Sequence, residues 1–540
     1  MATRYMNNQN LTVRRSPYHA SAPALALLPA LTIGVFVIWP LVNIFSRALS
    51  WEAISRLARN PAIRQVLWFS TWQAIVSTLI TLLVAFPVTY VLARYKFVGK
   101  RMLLALVTIP FVLPTVVVGA AFLAVLPHSL HRSLAAILIA HTYFNIAVVV
   151  RMVGRRWEQI SPLINDAAST LGASPFRIFR TVTIPTLDTA IRSAAAVIFL
   201  LCFTSYGIIR VLGGPARATL EVEIYTRAIQ LGDLSGAAVL SLFQLVILGL
   251  AMWWWIHATG GSNNLARIQM YSTVPQTFRQ RFTVYGIGIT TAIVIAIPLI
   301  MVFVRSISTG SGVSFDAWRL IFGNHATGLG TRPPLAAFWT SLQYAIATAI
   351  LAGVVGLAAA GAIAYGSRRI GQLEAFVMLP LATSAVTLGL GLLITFDSGI
   401  TDLRSRWIMI PIAHSLVALP VVVRTMLPAI RSVPQSVRDA SATLGASTWQ
   451  MWMTIDRSLI ARAWVTSLAF AGAISLGEFG ASSFLTRRTS ATLPTEIARL
   501  LGRPGDLVQT QAYVLASLLI MFIAASLIAV DGLRPDRVAV

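Results

Sequence analysis

The sequence predicts an all-α integral membrane protein of about twelve transmembrane helices, built as two parallel six-helix halves. Three observations predict it. The chain of 540 residues is 56% hydrophobic and only 11% charged, whereas a soluble domain carries about 25% charged residues. Twelve stretches lack Asp, Glu, Lys and Arg: 16–46, 65–93, 102–131, 133–150, 193–209, 234–266, 282–304, 333–367, 375–396, 407–423, 463–477 and 507–530. Most reach the roughly 17–25 residues that span hydrocarbon as a helix, and open strands would leave backbone groups unsatisfied there. The third observation is a polar loop that occurs twice. Asp166-Ala-Ala-Ser-Thr-Leu-Gly172-Ala-Ser174 returns, 273 residues on, as Asp439-Ala-Ser-Ala-Thr-Leu-Gly445-Ala-Ser447.

The elements follow in order. A polar tail, 1–18, carries Arg4, Arg14 and Arg15, and the long apolar run after it lacks a small-residue cleavage site, so it reads as an uncleaved first span. The first half covers 19–258 and holds the loop 154–187; a polar linker, 259–282, begins Gly260-Gly-Ser-Asn-Asn264; the second half covers 283–531 and holds the loop 425–459; a tail, 532–540, closes the chain. The shortest stretch, 463–477, is expected to continue past Glu478 towards Leu485 in order to cross. The register of 273 extends beyond the loops: Ala140-His141 matches Ala413-His414, Val148-Val-Val-Arg151 matches Val421-Val-Val-Arg424, and Gly207 matches Gly480. Upstream the offset is 270, pairing Gln73 with Gln343 and Pro110 with Pro380. An even number of spans per repeat makes the halves parallel, related by an axis along the membrane normal. With the N-terminus cytoplasmic, the cytoplasmic segments carry the larger share of Lys and Arg, which also places both repeated loops and the C-terminus in the cytoplasm.

Charge and cysteine content narrow the function. The net charge of +24 is scattered through short loops with no basic run and no aromatic–basic platform, so a nucleic-acid partner is excluded and lipid headgroups are the expected partner. The lone Cys202 excludes an internal disulfide and a Cys-based zinc site. His128 and His131 lack a carboxylate or thiol nearby, so no metal site is expected. Trp253-Trp-Trp255 reads as an interfacial belt.

Within the repeated loop, Ser161-Pro162 and Ser432 with Pro434 mark helix starts. Asp166 and Asp439 are expected early in a short helix, where a carboxylate favours the N-terminal dipole. Ala167, Ala168 and Ala440 let a partner approach closely, and Gly172 and Gly445 allow a bend or a positive φ. Aromatic residues follow, Phe176 and Phe179 in one copy and Trp449 and Trp452 in the other, as suits docking in a groove.

These residues resemble the Glu/Asp-Ala-Ala…Gly…Ile-x-Leu-Pro loop of ATP-binding-cassette importer permeases. The first copy matches through Val182 and Ile184-Pro185; the second matches through Ile455 and then departs at Arg457-Ser458. The fused layout resembles the thiamine and ferric-iron importer permeases; Phe69-Ser-Thr-Trp72-Gln73-Ala and Ala140-His141-Thr-Tyr-Phe144-Asn145 are similar to the thiamine branch, while Leu476-Gly-Glu478-Phe-Gly480-Ala is similar to a motif of iron, molybdate and sulfate permeases. The resemblance implies a type I importer permease in the bacterial plasma membrane. It implies coupling to ATPase subunits through Asp166, Ala167, Ala168, Gly172, Asp439, Ala440 and Gly445, two copies of that ATPase, and an external solute-binding protein. It implies thiamine or a related small cation as cargo, with ferric iron or another inorganic ion as the alternative. The chain's only lysines, Lys96 and Lys100, form no Walker A loop, so the chain is expected not to be an enzyme and to bind no cofactor, with ATP and Mg²⁺ held by the partners.

Along the path between the halves, intramembrane polar groups are the candidates: Glu478 and its counterpart Ser205, His141 with Asn145, and His414. Glu478 is read as a carboxylate for cationic cargo, as the cap or brace of a broken helix at an external gate, or as the partner of Arg487; the histidines either line or gate the path or hydrogen-bond between packed helices. Glu221, Glu223 and Glu496 are expected on external loops, available to a binding protein. The rival class is a twelve-span secondary transporter, but the basic segment from Arg94 to Arg101 lacks the leading Gly and the Asp of that superfamily's loop.

Overall fold

The computed structural model describes residues 18, 21–49, 52, 54–55, 59–214, 216–259, 271–309, 312–323, 333–397, 402–487 and 489–532. The expected tails, apart from Tyr18 and Gly532, and the glycine-rich start of the linker lie outside these residues.

The first half comprises α1 (Ala22–Ala48), α2 (Pro61–Arg94), α3 (Lys100–Val112), α4 (Thr115–Val125), α5 (Leu134–Glu158), α6 (Pro162–Thr170), α7 (Pro175–Phe203), α8 (Gly207–Leu212), α9 (Leu220–Tyr225) and α10 (Leu234–Thr259). The second comprises α11 (Phe278–Ser306), a short helix α12 (Asp316–Phe322), α13 (Ala336–Tyr365), α14 (Arg368–Ala382), α15 (Ala385–Phe396), α16 (Met409–Arg431), α17 (Gln435–Thr443), α18 (Thr448–Gly477), α19 (Gly480–Leu485), α20 (Leu493–Leu501) and α21 (Asp506–Gly532). A hairpin of Ser308–Thr309 with Gly312–Val313 is the strand structure among the described residues. Local chemistry starts the helices where expected: the Asn60 side chain accepts from the Ala62 amide with Pro61 in the first turn, and Ser133 accepts from the Ala136 amide.

Among the described residues ten helices are long and apolar enough to cross a membrane, and two further pairs, α3–α4 and α14–α15, are bent by 106° and 97°. The breaks have local causes. Pro114 forces Leu113 extended, and the Ser384 side chain starts α15 by accepting from the Thr387 amide. Each bent pair makes one crossing. Lys100 at the start of α3 pairs with Glu158 at the end of α5 at 3.3 Å, and Arg94 at the end of α2 donates to the Ile160 carbonyl. The chain therefore leaves the face where α5 ends and, through α4, reaches the face where α5 begins. Tyr365 beside Arg438, and Tyr344 against Trp407, repeat this arrangement around α14–α15. Twelve crossings result, two of them sharply broken rather than continuous.

One expected span is corrected. The stretch 463–477 does not continue past Glu478: α18 ends at Gly477 and gains its length backwards, to Thr448. A charge-free window underestimates a helix whose first turns project beyond the lipid, where Arg457 and Arg462 are tolerated.

The halves are interlocked. α1 packs on α13, α14 and α15, and α11 packs reciprocally on α2, α3 and α4. Nearer the centre, α9 packs on α15 and α20 on α4. The contact of each half with the other is thus the same contact made twice, as across a two-fold axis. Tyr18 bonds to Asp456 of the second loop, and Lys96 and Arg94 pair with Thr273 of the linker. The start of α1, the linker and both repeated loops therefore share one face.

Candidate functional site

The repeated sequence is a stop signal followed by a start signal. In α6 the Ala173 amide bonds to the Ala168 carbonyl and the Gly172 amide to that of Ser169; in α17, Ala446 bonds to Ser441 and Gly445 to Ala442. This is a Schellman closure, which needs a left-handed residue just past the helix. Gly172 and Gly445 supply it, with φ of 81° and 80°. The next helix starts two residues later. The side chain of Ser174 accepts from the Arg177 amide, and that of Ser447 accepts from the Gln450 amide. Thr-Leu-Gly-Ala-Ser thus encodes a tight corner between two helices, and a five-residue π turn follows at the same register in each copy, 179–183 and 452–456.

Two readings change. Asp166 and Asp439 are each the fifth residue of their helix, beyond the first turn, so the N-terminal dipole does not account for them. Asp439 instead accepts from Gln435 Nε2 at 3.0 Å, and Asp166 is exposed. Of the expected loop segments, 154–158 and 175–187 belong to α5 and α7, so the projecting part is α6 and its corner.

Each corner displays apolar side chains to solvent at matched positions. Leu171 and Leu444 are each 88% exposed, Phe176 and Trp449 are 72% and 68% exposed, and Ile164 pairs with Val437. The leucines gave no signal by type, because leucine is the commonest residue of a spanning helix; their exposure marks them. Exposed apolar patches of this kind mark candidate interaction sites.

The copies differ in how they are held. Behind α17, Arg438 donates to Asp456 Oδ1 through Nη2 at 2.5 Å and Nε at 3.1 Å, and through Nη2 to Tyr365 Oη at 3.2 Å and the Ile430 carbonyl. Tyr18 donates to Asp456 Oδ2 at 2.5 Å and lies against Tyr365, their ring centroids 4.7 Å apart. Burial and the bond to Asp456 hold the Tyr18 phenol well above its ordinary value, so it remains a donor. The equivalents of Arg438 and Asp456 are Asn165 and Thr183, so the first copy has no charged clamp. Neither charge drew notice in the sequence because each resembles an ordinary loop charge.

Across the membrane, the structure brings some path candidates together. His414 Nδ1 bonds to Ser475 Oγ at 2.7 Å, and its Nε2 to Ser482 Oγ at 2.8 Å, with a Glu478 oxygen 3.4 Å away. Glu478 is not paired with Arg487. Its two oxygens accept from the backbone amides of Ala481 and Ser482, both at 3.0 Å, capping α19. This is the bracing reading. In the first half, His141 bonds to Ser77, and Asn145 donates to the His141 carbonyl and to Cys202 Sγ. Ser205 Oγ and His141 Nε2 are buried without a partner among the described residues. Gln73 is buried and donates to the Ser70 and Cys202 carbonyls. Glu221, Glu223 and Glu496 lie in helices rather than loops; Glu221 is buried against Gln244 and Glu496 against Arg499, so neither is presented to a binding protein. Among the described residues no group of three or more metal-ligating side chains converges.

No family model matches the chain. It is 26% identical over 465 residues to the thiamine transport system permease protein ThiP of Escherichia coli, covering 81% of this chain and 83% of that one. It is 27% identical over 459 residues to the ThiP protein of Brucella abortus, covering 80% and 81%. It is 24% identical over 480 residues to a probable ABC transporter permease protein, y4fN, of Sinorhizobium fredii, covering 83% and 84%. The doubled helical fold, with ten to twelve candidate crossings among the described residues, and relatives matched over about four fifths of the chain support a fused, two-half permease of the ABC-transporter type.

Proposed function

We propose that the chain is the membrane subunit of an ATP-driven importer, moving thiamine or a related small organic cation into the cytoplasm of a bacterium. The observation that carries this is the pair of matched apolar corners on one face, next to relatives named for thiamine transport. In this reading α6 and α17 each seat in a groove of one copy of a separate ATPase subunit, which holds ATP and Mg²⁺. An external binding protein delivers the solute to the opposite face. Both termini and both corners are cytoplasmic. Closure of the ATPase pair draws the corners together, and the interlocked halves pass between inward-open and outward-open states. The chain forms and breaks no covalent bond; it converts closure into a shift between two packings.

The test is purification of the chain with its partners, followed by thiamine uptake into sealed vesicles. The expected result is co-purification of two ATPase copies per chain and ATP-dependent thiamine uptake. A complex without a nucleotide hydrolase would overturn the reading, and transport of ferric iron instead of thiamine would overturn the cargo.

Glu478→Gln tests the brace. A carboxylate accepts from two amides, whereas the carboxamide has one acceptor and turns an NH₂ towards the other amide. Leaving one buried donor unmet costs about 1–3 kcal/mol. The variant is expected to assemble with its partners but to lose most uptake; wild-type uptake in whole cells would refute the role.

A further inference from the structure

Tyr206 and Phe479 occupy equivalent positions, 273 residues apart, and their rings stack on each other with centroids 4.9 Å apart at 28°. In a two-fold arrangement a residue can touch its own equivalent only at the axis. The reciprocal packing of α9 on α15 and of α20 on α4 shows that the halves meet in that way. The stacked pair therefore marks the axis between the halves, beyond the ends of α7 and α18 that lie far from the corners.

The backbone holds both rings firmly. Each stands at the break before a short helix, followed by Gly207 or Gly480. A Cβ on Gly207 would fall 2.2 Å from Thr115 Oγ1, and one on Gly480 would fall 3.0 Å from Ala385 Cβ, so each short helix is wedged against the start of the neighbouring α4 or α15. Around the pair, Tyr225 lies 5.6 Å from Tyr206 and edge-on to Phe484 at 5.5 Å, with the Arg210 guanidinium 5.1 Å above the Tyr225 ring. Tyr206 and Phe479 are both 5% exposed, so the axis is shut at this level.

We propose that Tyr206 and Phe479 are the outer gate of the path, and that the two ring faces part to admit a flat, cationic aromatic solute between them. This rests on the importer reading above. Ring faces are electron-rich and attract both stacked aromatics and cations, so a planar cationic ring replaces the stacking that each residue loses when the pair opens. An aliphatic or hydrated inorganic solute makes no such replacement. The device is legible only in three dimensions, since neither residue is charged and each alone reads as core.

The experiment uses the complete complex with Cys202→Ala as background, carrying Tyr206→Cys and Phe479→Cys. A short reagent that bridges two thiols and is cleaved by dithiothreitol is expected to link the pair in the resting protein. Linking is expected to abolish the ATP-driven thiamine uptake that the unlinked cysteine pair retains, and dithiothreitol to restore it to that level. Failure to link overturns the axial juxtaposition, whatever the complex transports; linking that leaves uptake intact overturns the gate. A second variant, Tyr206→Leu with Phe479→Leu, keeps bulk but removes the ring faces. It is expected to assemble and to retain ATPase activity while thiamine uptake falls roughly tenfold, the loss of about 1.4 kcal/mol of ring–solute attraction. Undiminished uptake by this variant overturns the recognition. The swapped pair, Tyr206→Phe with Phe479→Tyr, keeps both ring faces and is expected to transport as the parent does; loss of uptake there overturns the ring-face account. Absence of ATPase or thiamine uptake in the unmodified complex is a failure of the importer reading instead, and the linking result stands apart from it.

Discussion

Arg438→Ala is expected to destabilise the α17 corner by about 3–5 kcal/mol, because removing one partner of a buried ion pair strands the other charge. Asp456 is fully buried, and Arg438 supplies two of the hydrogen bonds on its Oδ1. The substitution also leaves the Tyr365 hydroxyl and the Ile430 carbonyl without their guanidinium donor. The measurement is limited proteolysis of the purified complex, where cleavage between α16 and α18 is expected to accelerate strongly while cleavage around α6 is unchanged. ATPase subunits are expected to be lost from the variant on washing. Replacing both charges, Arg438→Met with Asp456→Leu, is expected to recover most of the resistance, since a packed apolar pair can match a buried ion pair. The matching change in the first half, Asn165→Ala, is expected to cost far less, because no charge is stranded there. Equal sensitivity of the two corners would show that the clamp does not distinguish them.

Gly172→Val combined with Gly445→Val is expected to uncouple ATP hydrolysis from uptake. Both glycines sit in the left-handed region, and a Cβ at either would meet nothing within 4 Å. The cost is therefore backbone strain alone, roughly 1–2 kcal/mol at each site and more for a β-branched side chain. The strain is relieved by opening the Schellman closure, which re-aims Leu171 and Leu444 and the start of the next helix. Uptake is expected to fall by roughly tenfold or more, while the core helices keep their thermal stability. Gly172→Asn with Gly445→Asn is the control: Asn tolerates the left-handed conformation and is expected to retain most uptake. Normal ATPase and uptake rates in the valine pair would remove these corners from the coupling path.

Much of this was legible in residue order, for definable reasons. Lipid demands long apolar helices, so composition alone carried the fold class and the number of crossings. A bend past a helix end favours glycine at a positive φ, so Gly172 and Gly445 could be read as bends, whereas the capping of the next helix by Ser174 and Ser447 came from the structure. The misreadings were also physical. Counting charge-free residues extended the span at 463–477 in the wrong direction, because arginine is tolerated where a helix leaves the lipid. The starts at Pro162 and Pro434 hold, but Asp166 and Asp439 each come fifth in the helix, past its first turn, so the dipole reason given for them failed.

The amino-acid order by itself determined that this is a doubled, lipid-embedded helical protein with a polar loop that recurs in each half, since hydropathy and repetition in register are properties of the chain as written. Tertiary structure alone decided that Tyr206 meets Phe479, that Tyr18 and Arg438 close on Asp456, and that Leu171 and Leu444 stand bare. Those facts depend on which surfaces the interlocked halves bring together across hundreds of residues, and no periodicity along a chain records a distance through space.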